Sequence, residues 1–227
     1  MQIDMRVMEL LASKLCHDLV SPVSAINNGV ELIEDIGGSV VDEAMKLIGD
    51  SGTVASRRLR LYRMAYGRAG SEESLAVKDV RQVAEQYLAN GKISLVWPEG
   101  QPVEDVATQR GFLKTLLNVI VLAEETLAYG GVISVREAGS ARGCKIEIIG
   151  RNAHLSLALQ EALDGSATVE ALTPRSIQAY VTGRFAAQFG FKMTHDHSAA
   201  DRLELGLTLA AEEVQVPIVQ APLVNVS

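Results

Sequence analysis

Apolar or small residues recur at Met8, Ala12, Leu15, Leu19, Pro22/Val23, Ile26, Val30 and Ile33, with spacings that alternate between three and four. That is the period of a helix with a narrow apolar seam. The pattern breaks at Ile36-Gly37-Gly38-Ser39, where two glycines suit a helix end and a turn. Asp42 then precedes a second seam, Met45, Ile48, Gly52, Ala55, Leu59, Tyr62 and Tyr66, with the same alternation. Residues 1–70 are therefore expected to form an antiparallel helical hairpin. Each helix would hold about 25 to 30 residues, or roughly 40 Å. Nothing within the segment covers the outer seams, whereas two copies would make a four-helix bundle with one continuous core. A homodimer is the expectation.

Gly67–Glu73, GRAGSEE, is small and polar and reads as a linker. Beyond it the period changes to a mixed α/β pattern over residues 74–216. Val77–Leu88 predicts a helix ending at Asn90-Gly91, and Lys92–Trp97 a strand stopped by Pro98. Val106–Tyr129 predicts a long apolar helix ended by Gly130-Gly131. Ile133–Arg136 and Cys144–Ile149 predict a strand hairpin. Leu155–Leu163 and Pro174–Phe189 predict helices, the second with Thr173 as N-cap and Pro174 in its first turn. Phe191–Thr194 and Arg202–Leu209 would complete the sheet. Residues 217–227 are an apolar, proline-interrupted tail. The fold class expected is α+β, a helical hairpin followed by an α/β sandwich.

Composition narrows the function. The 227 residues carry a net charge of -7, which disfavours general binding to nucleic acid or to anionic membranes. Cys16 and Cys144 are the only cysteines, which suits a reducing compartment rather than a disulfide scaffold. The opening MQIDMRVMEL has no signal-like apolar segment, and the longest apolar run, residues 116–123, is far short of the roughly 20 residues that span a bilayer. The expected location is the cytoplasm.

One side chain in the first helix faces the wrong way for packing. At about 100° per residue, Leu15 and Leu19 lie about 160° and 200° from His17, and Ile26 and Met8 lie near 180°. His17 thus points away from the seam, with Ser13, Ser21 and Ser24 flanking it. An imidazole on a clear face of small polar residues is either a solvated surface histidine or a nucleophile open to a large partner. Neutral imidazole is a competent nucleophile near pH 7. Asp18 follows directly and suits a role in orienting the ring, and Ser21 lies one turn on. Pro22 in mid-helix removes a backbone hydrogen bond at a usual cost of about 3 kcal/mol, which implies a positional reason for it.

The stretch Leu15-Cys16-His17-Asp18-Leu19-Val20-Ser21-Pro22, followed by Ala25-Ile26-Asn27-Asn28-Gly29, resembles the H-box of histidine-kinase dimerisation domains, in which a phosphoaccepting histidine precedes an acidic residue, with proline five positions on. LCHDLVSPVSAINNGVEL is more similar still to the dimeric histidine phosphotransferases of alphaproteobacterial phosphorelays. The resemblance extends over nearly the whole chain, with the second half ordered like a kinase ATP-binding (Bergerat) domain. It implies a phosphotransferase that carries a phosphoryl group on His17 between response-regulator receiver domains, including that of a hybrid histidine kinase, with Asp18 and Ser21 beside the phosphoacceptor.

Kinase domains of this kind use an asparagine-bearing helix, a D-x-G-x-G loop and a Gly-rich lid. Here the helix keeps Asn118, but Leu122 stands where the magnesium-binding asparagine belongs. After KIEII the chain runs GRNAHL, with no D-x-G-x-G, and TPRSIQAYVTGRF carries no lid glycines. Leucine cannot ligand magnesium, and backbone cannot approach phosphate without those glycines. No cofactor is expected: ATP is not bound, and magnesium belongs to the partner receiver's aspartates. An autophosphorylating kinase with an atypical site and a non-catalytic dimeric scaffold are the competing readings.

Hairpin geometry places residues whose numbers sum to about 76 at one height, so His17 is level with about residue 59. Arg57, Arg58, Arg60 and Arg63 cluster there, either as a solvated basic face or as an attractant for an acidic receiver pocket. Lys14, Arg57, Arg60 and Arg63, with the small residues Ser13 and Ala25, make up the expected partner surface. His195, Asp196 and His197 offer too few ligands for a metal, and no metal site is expected. His154 and Cys144 have no evident partners.

Overall fold

The computed structural model describes residues 4–67, 75–89, 91–99, 103, 105–139 and 142–210. Helix α1 (Met5–Asp35) starts at Asp4, whose carboxylate accepts from the Arg6 amide at 2.9 Å. It ends at Gly37 and Gly38, both at positive φ, which glycine adopts without a Cβ penalty. Helix α2 (Val41–Tyr66) runs back along it, with Asp42 and Glu43 in its first turn, where the helix dipole favours acid. The two helices lie close together at Gly29, where a Cβ would come within 2.7 Å of Ile48 Cγ1 and 3.2 Å of the Ala44 carbonyl. The hairpin is the one its seams predict, except that each seam is only half covered. Pro22, Gly29, Ala44 and Ser51 are buried, whereas Met8, Val23, Val30, Met45 and Leu59 remain exposed.

The second part contains α3 (Val77–Leu88), β1 (Ile93–Val96), α4 (Phe112–Glu125), β2 (Gly131–Glu137), β3 (Gly143–Ile149), α5 (Leu157–Asp164), α6 (Ile177–Gln188), β4 (Phe191–Ala199) and β5 (Arg202–Leu209). The five strands form one sheet in the order β1-β2-β3-β5-β4, parallel between β1 and β2 and antiparallel elsewhere. Alternation sorts the faces. Ile133, Val135, Cys144, Ile146, Ile148, Leu203, Leu205 and Leu207 are buried. On the other face Glu147 bridges Arg136 (2.6 Å) and Arg202 (2.7 Å), and Lys145 pairs with Glu204 (2.7 Å). Every residue of α4 from Phe112 to Ala123 is buried, because the helix lies between the sheet, α6 and α2. The chain is α+β, as expected.

Several boundaries differ from expectation. The helix expected over Val106–Tyr129 is only Phe112–Glu125, because Gly111 stands at φ +77 with its Cα against the Phe189 ring, a left-handed residue that an α-helix cannot pass through. The helix expected from Pro174 begins at Ile177, after a turn in which Thr173 and Ser176 bond reciprocally: Thr173 N–H donates to Ser176 Oγ at 3.0 Å, and Ser176 N–H to Thr173 Oγ1 at 3.3 Å. Leu155–Leu163 shifts to Leu157–Asp164. Strand β4 continues past Thr194 to Ala199 by pairing with β5, so His195, Asp196 and His197 lie in a strand. The linker beyond Gly67 and the tail at 217–227 lie outside the described residues.

The hairpin packs tightly on the α/β part. Leu61, Tyr62 and Ala65 enter the same buried cluster as Val80, Val83, Phe112 and Leu116. The last carbonyls of α2, which have no helical partner, are capped from α4. Lys114 Nζ donates to Gly67 O at 2.8 Å and Tyr66 O at 3.4 Å, and Asn118 Nδ2 donates to Ala65 O at 2.8 Å. Tyr66 donates its hydroxyl to Gln178 Oε1 at 2.6 Å. At the other helix, Arg6 donates to Val169 O (3.1 Å) and Leu172 O (3.0 Å).

Candidate active site

His17 lies midway along α1 with its side chain 90% exposed. Ser13, Ser21 and Ser24 beside it are exposed and Ala25 is partly so, leaving the clear face that the helical wheel predicts. The Pro22 nitrogen carries no proton, so the carbonyl four residues earlier, that of Asp18, has no helical donor. Arg58 supplies one: its guanidinium donates to Asp18 O across the hairpin. The proline thus exchanges a backbone bond within α1 for a charge-assisted tie to α2, immediately beside His17.

Asp18 is the most heavily engaged residue of the site. Tyr62 donates its hydroxyl to Asp18 Oδ2 at 2.7 Å, and Lys14 approaches the same oxygen at 3.5 Å. The other carboxylate oxygen, Oδ1, faces His17 Nδ1 at 3.8 Å. A hydrogen bond to an ionised acceptor stabilises by about 1.5–3 kcal/mol, enough to fix the Asp18 rotamer. Burial, followed by the bond to Asp18, holds the Tyr62 phenol well above the ordinary tyrosine value, so it remains a donor throughout the working range.

Lys14 departs from expectation. Instead of facing a partner it is only 13% exposed and is ion-paired with Glu125 at the end of α4, because its long stem reaches back to a carboxylate that the second domain places there. Burial by itself lowers the Lys14 pKa, but the Glu125 and Asp18 carboxylates outweigh it and keep the ammonium above the ordinary lysine value. Burial raises Glu125, with Lys14 pulling the other way. Glu124, which accepts from the Tyr87 hydroxyl at 3.3 Å, is raised by burial too.

The arginines divide. Arg60 donates to Gln86 Oε1 at 3.0 Å, on α3, and Arg63 is exposed in the last turn of α2. Arg57 and Arg58 line a cavity of about 640 Å³ between α2 and the second domain, together with Tyr87, Lys92, Glu124 and Glu125. Tyr62 and Glu125 were not among the site residues expected from sequence, and Arg58 was expected only as one of the arginine cluster level with His17. Tyr62 carried a usable signal, since a tyrosine in a buried seam needs a hydroxyl partner, and Asp18 stands close to its height in the hairpin.

The residues of α4 compared above with a nucleotide-binding helix are engaged elsewhere. Asn118 is fully buried, with its amide spent on Ala65 O and Lys114 O and its Oδ1 accepting from Gln178 Nε2 at 3.4 Å. Thr182 donates to Gln178 O, and Leu122 is fully buried in the core. His154 Nδ1 lies 2.7 Å from Asn152 O, His195 Nε2 lies 3.4 Å from Asp164, and Cys144 is buried, with its thiol pushed up by desolvation. Among the described residues no group of three or more His, Cys, Asp or Glu side chains is arranged to hold a metal, and no helix is long and apolar enough to cross a membrane.

Comparison with known proteins identifies the family. The family model for the histidine phosphotransferase C-terminal domain matches residues 77–201. Protein phosphotransferase ChpT of Brucella abortus (strain 2308) is 34% identical over 195 residues, spanning 85% of this chain and 90% of its own. A solved bacterial phosphotransferase superposes with a TM-score of 0.71 at 28% identity, covering 91% of this chain and 98% of that one. A family model over more than half of the sequence and a relative at 34% identity place it together: the chain belongs to the histidine phosphotransferase family.

Proposed function

We propose that His17 is the phosphoacceptor, and that the protein relays a phosphoryl group through it between response-regulator receiver domains. The observation that carries this is the His17 imidazole, exposed on a serine-lined face while its neighbour Asp18 is held from three sides. Nε2 attacks the phosphorus of a receiver's aspartyl phosphate. The N–P bond forms as the O–P bond breaks, and the bonding pair leaves on the receiver's carboxylate. Transfer to a second receiver runs the same step in reverse. The magnesium that neutralises the phosphoryl oxygens belongs to the receiver. Ser13, Ser21, Ala25, Arg57, Arg60 and Arg63 are proposed to line the docking surface, with the arginines attracting the receiver's acidic pocket.

A second copy of the chain covers the exposed flank of the hairpin in this reading. Met8, Val23, Val30, Met45 and Leu59 form the open side of both seams, and Leu59 is 55% exposed. A four-helix bundle would bury them. ATP plays no part: Asn118 is committed to Ala65 O, and Leu122 offers no ligand.

The test offers the protein a radiolabelled phosphorylated receiver and, separately, radiolabelled ATP. Acid-labile label arriving from the receiver alone, and lost in His17→Gln with the fold preserved, is the expected result. Label from ATP, or label from the receiver that survives His17→Gln, overturns the proposal.

A further inference from the structure

We infer that Tyr62 and Glu125 are positioning residues for transfer, and that the second domain, through Glu125, is part of the machinery that sets the His17 ring. This rests on the phosphocarrier reading above. His17 is highly exposed, and the carboxylate oxygen Asp18 Oδ1 lies 3.8 Å from its Nδ1. Asp18 is thus the charged group placed to orient the ring. The distance is a coulombic contact, and rotation of the exposed ring shortens it to a hydrogen bond, as catalytic bonds tighten in a productive complex. With Nδ1–H held by Asp18, the Nε2 lone pair is free to attack. As the N–P bond forms and the receiver's O–P bond breaks, Nδ1 keeps its proton and the ring becomes cationic. The Asp18 carboxylate offsets that charge, and no proton changes hands.

The groups facing Asp18 are Lys14 on its own helix, Arg58 and Tyr62 on α2, and Glu124 and Glu125 on α4. Lys14 is the threat to this arrangement. Left to itself, the ammonium would pair fully with Asp18 and draw its negative charge away from His17. Glu125 prevents this by taking the ammonium into a close ion pair, which leaves Lys14 no nearer than 3.5 Å to Asp18. Tyr62 holds Oδ2 at 2.7 Å and so turns Oδ1 towards the ring. Arg58, on the carbonyl that Pro22 frees, fixes the backbone between them.

Single-turnover transfer from a phosphorylated receiver would be measured for the wild type, Tyr62→Phe, Glu125→Gln and Asp18→Asn, and for the doubles Tyr62→Phe/Asp18→Asn and Lys14→Met/Glu125→Gln. The His17 tautomer would be read in parallel from its ring ¹⁵N shifts. Tyr62→Phe and Glu125→Gln are expected to slow transfer at saturating receiver on the order of tenfold, as misorientation of a reacting group does, with half-saturation unchanged. Both should shift the tautomer away from Nδ1–H. Tyr62→Phe should add nothing to Asp18→Asn, and Lys14→Met should restore the rate lost in Glu125→Gln. A merely structural role would give neither result. Wild-type rates and tautomer in both single variants, or losses of Tyr62→Phe and Asp18→Asn that multiply, would overturn the inference. A wild type that accepts no label from the receiver would sink the carrier reading instead; the tautomer, measured without any receiver, then decides the positioning claim by itself.

Discussion

Replacing Asn118 by leucine should unfasten the hairpin from the second domain without emptying the core. The two side chains have similar volume, so the packing of α4 changes little. What is lost is polar. The Asn118 amide donates to Ala65 O at 2.8 Å and Lys114 O at 3.0 Å, and its Oδ1 accepts from Gln178. Ala65 lies in the last turn of α2, so its carbonyl has no helical donor to fall back on, and it is fully buried. Leaving such an acceptor unpaired costs about 1–3 kcal/mol, and the lost bond to Gln178 adds about 1 kcal/mol. A total near 3 kcal/mol lowers the melting temperature of a chain this size by about 6–12 °C. Circular dichroism melts of the full chain, with Asn118→Ser as a smaller polar control, supply the measurement. A midpoint within 2 °C of wild type would refute the claim that this side chain fastens α2 to α4. Stabilisation of the wild type by magnesium and ATP that disappears in Asn118→Leu would refute it too, since it would return the residue to nucleotide binding.

Gly29→Leu should wedge α1 from α2, because even a Cβ there meets Ile48 at 2.7 Å; a loss of about 1–3 kcal/mol, read by urea unfolding, is expected. Leu59→Asp should shift the protein towards monomer in light scattering, with helix content retained. Among the described residues His197 has both ring nitrogens inaccessible and unpartnered, and burial, then repulsion from His195 and His154, hold its pKa below the usual histidine value, with Asp196 opposing. Its stabilising contribution is thus complete above about pH 6.5 and is lost as pH falls from there towards the folded value. Melts at pH 7.5 and 5.5 should show a drop that His197→Leu reduces.

The hairpin was legible because its information is local. Two seams with a three-four period and a Gly-Gly stop define both helices, and α3 matches Val77–Leu88 at both ends. The errors fall where a residue's role depends on a distant one. Nothing near Gly111 announces that Phe189 will close over it, so the 24-residue stretch 106–129 looks like a single helix. The sequence His-Asp-His suits a turn or a surface strand equally until β5 supplies the partner strand. Lys14 is the clearest case. Its position one turn before His17 suggests a shared face, yet the side chain answers to Glu125, more than a hundred residues away, and helical spacing carries no information about that docking.

The same distinction separates the departures from the nucleotide-binding pattern, which sequence shows, from the contacts that α4 makes, which it does not. Absent glycines and a leucine in place of a ligand are visible letter by letter. That Lys114 and Asn118, one turn apart on α4, would cap the end of α2 is visible only once the two parts are packed together. An enzyme that phosphorylates its own histidine from a bound nucleotide must bring the γ-phosphate to that histidine, so its nucleotide domain has to swing relative to the hairpin. A carrier has no γ-phosphate to deliver, because each receiver brings the phosphoryl group itself. Free of that demand, the second domain can be fastened to α2 through Asn118, Lys114 and Gln178 and to α1 through Glu125. Under the proposed mechanism this fastening benefits transfer, since every receiver then meets the same His17, held by the same Asp18.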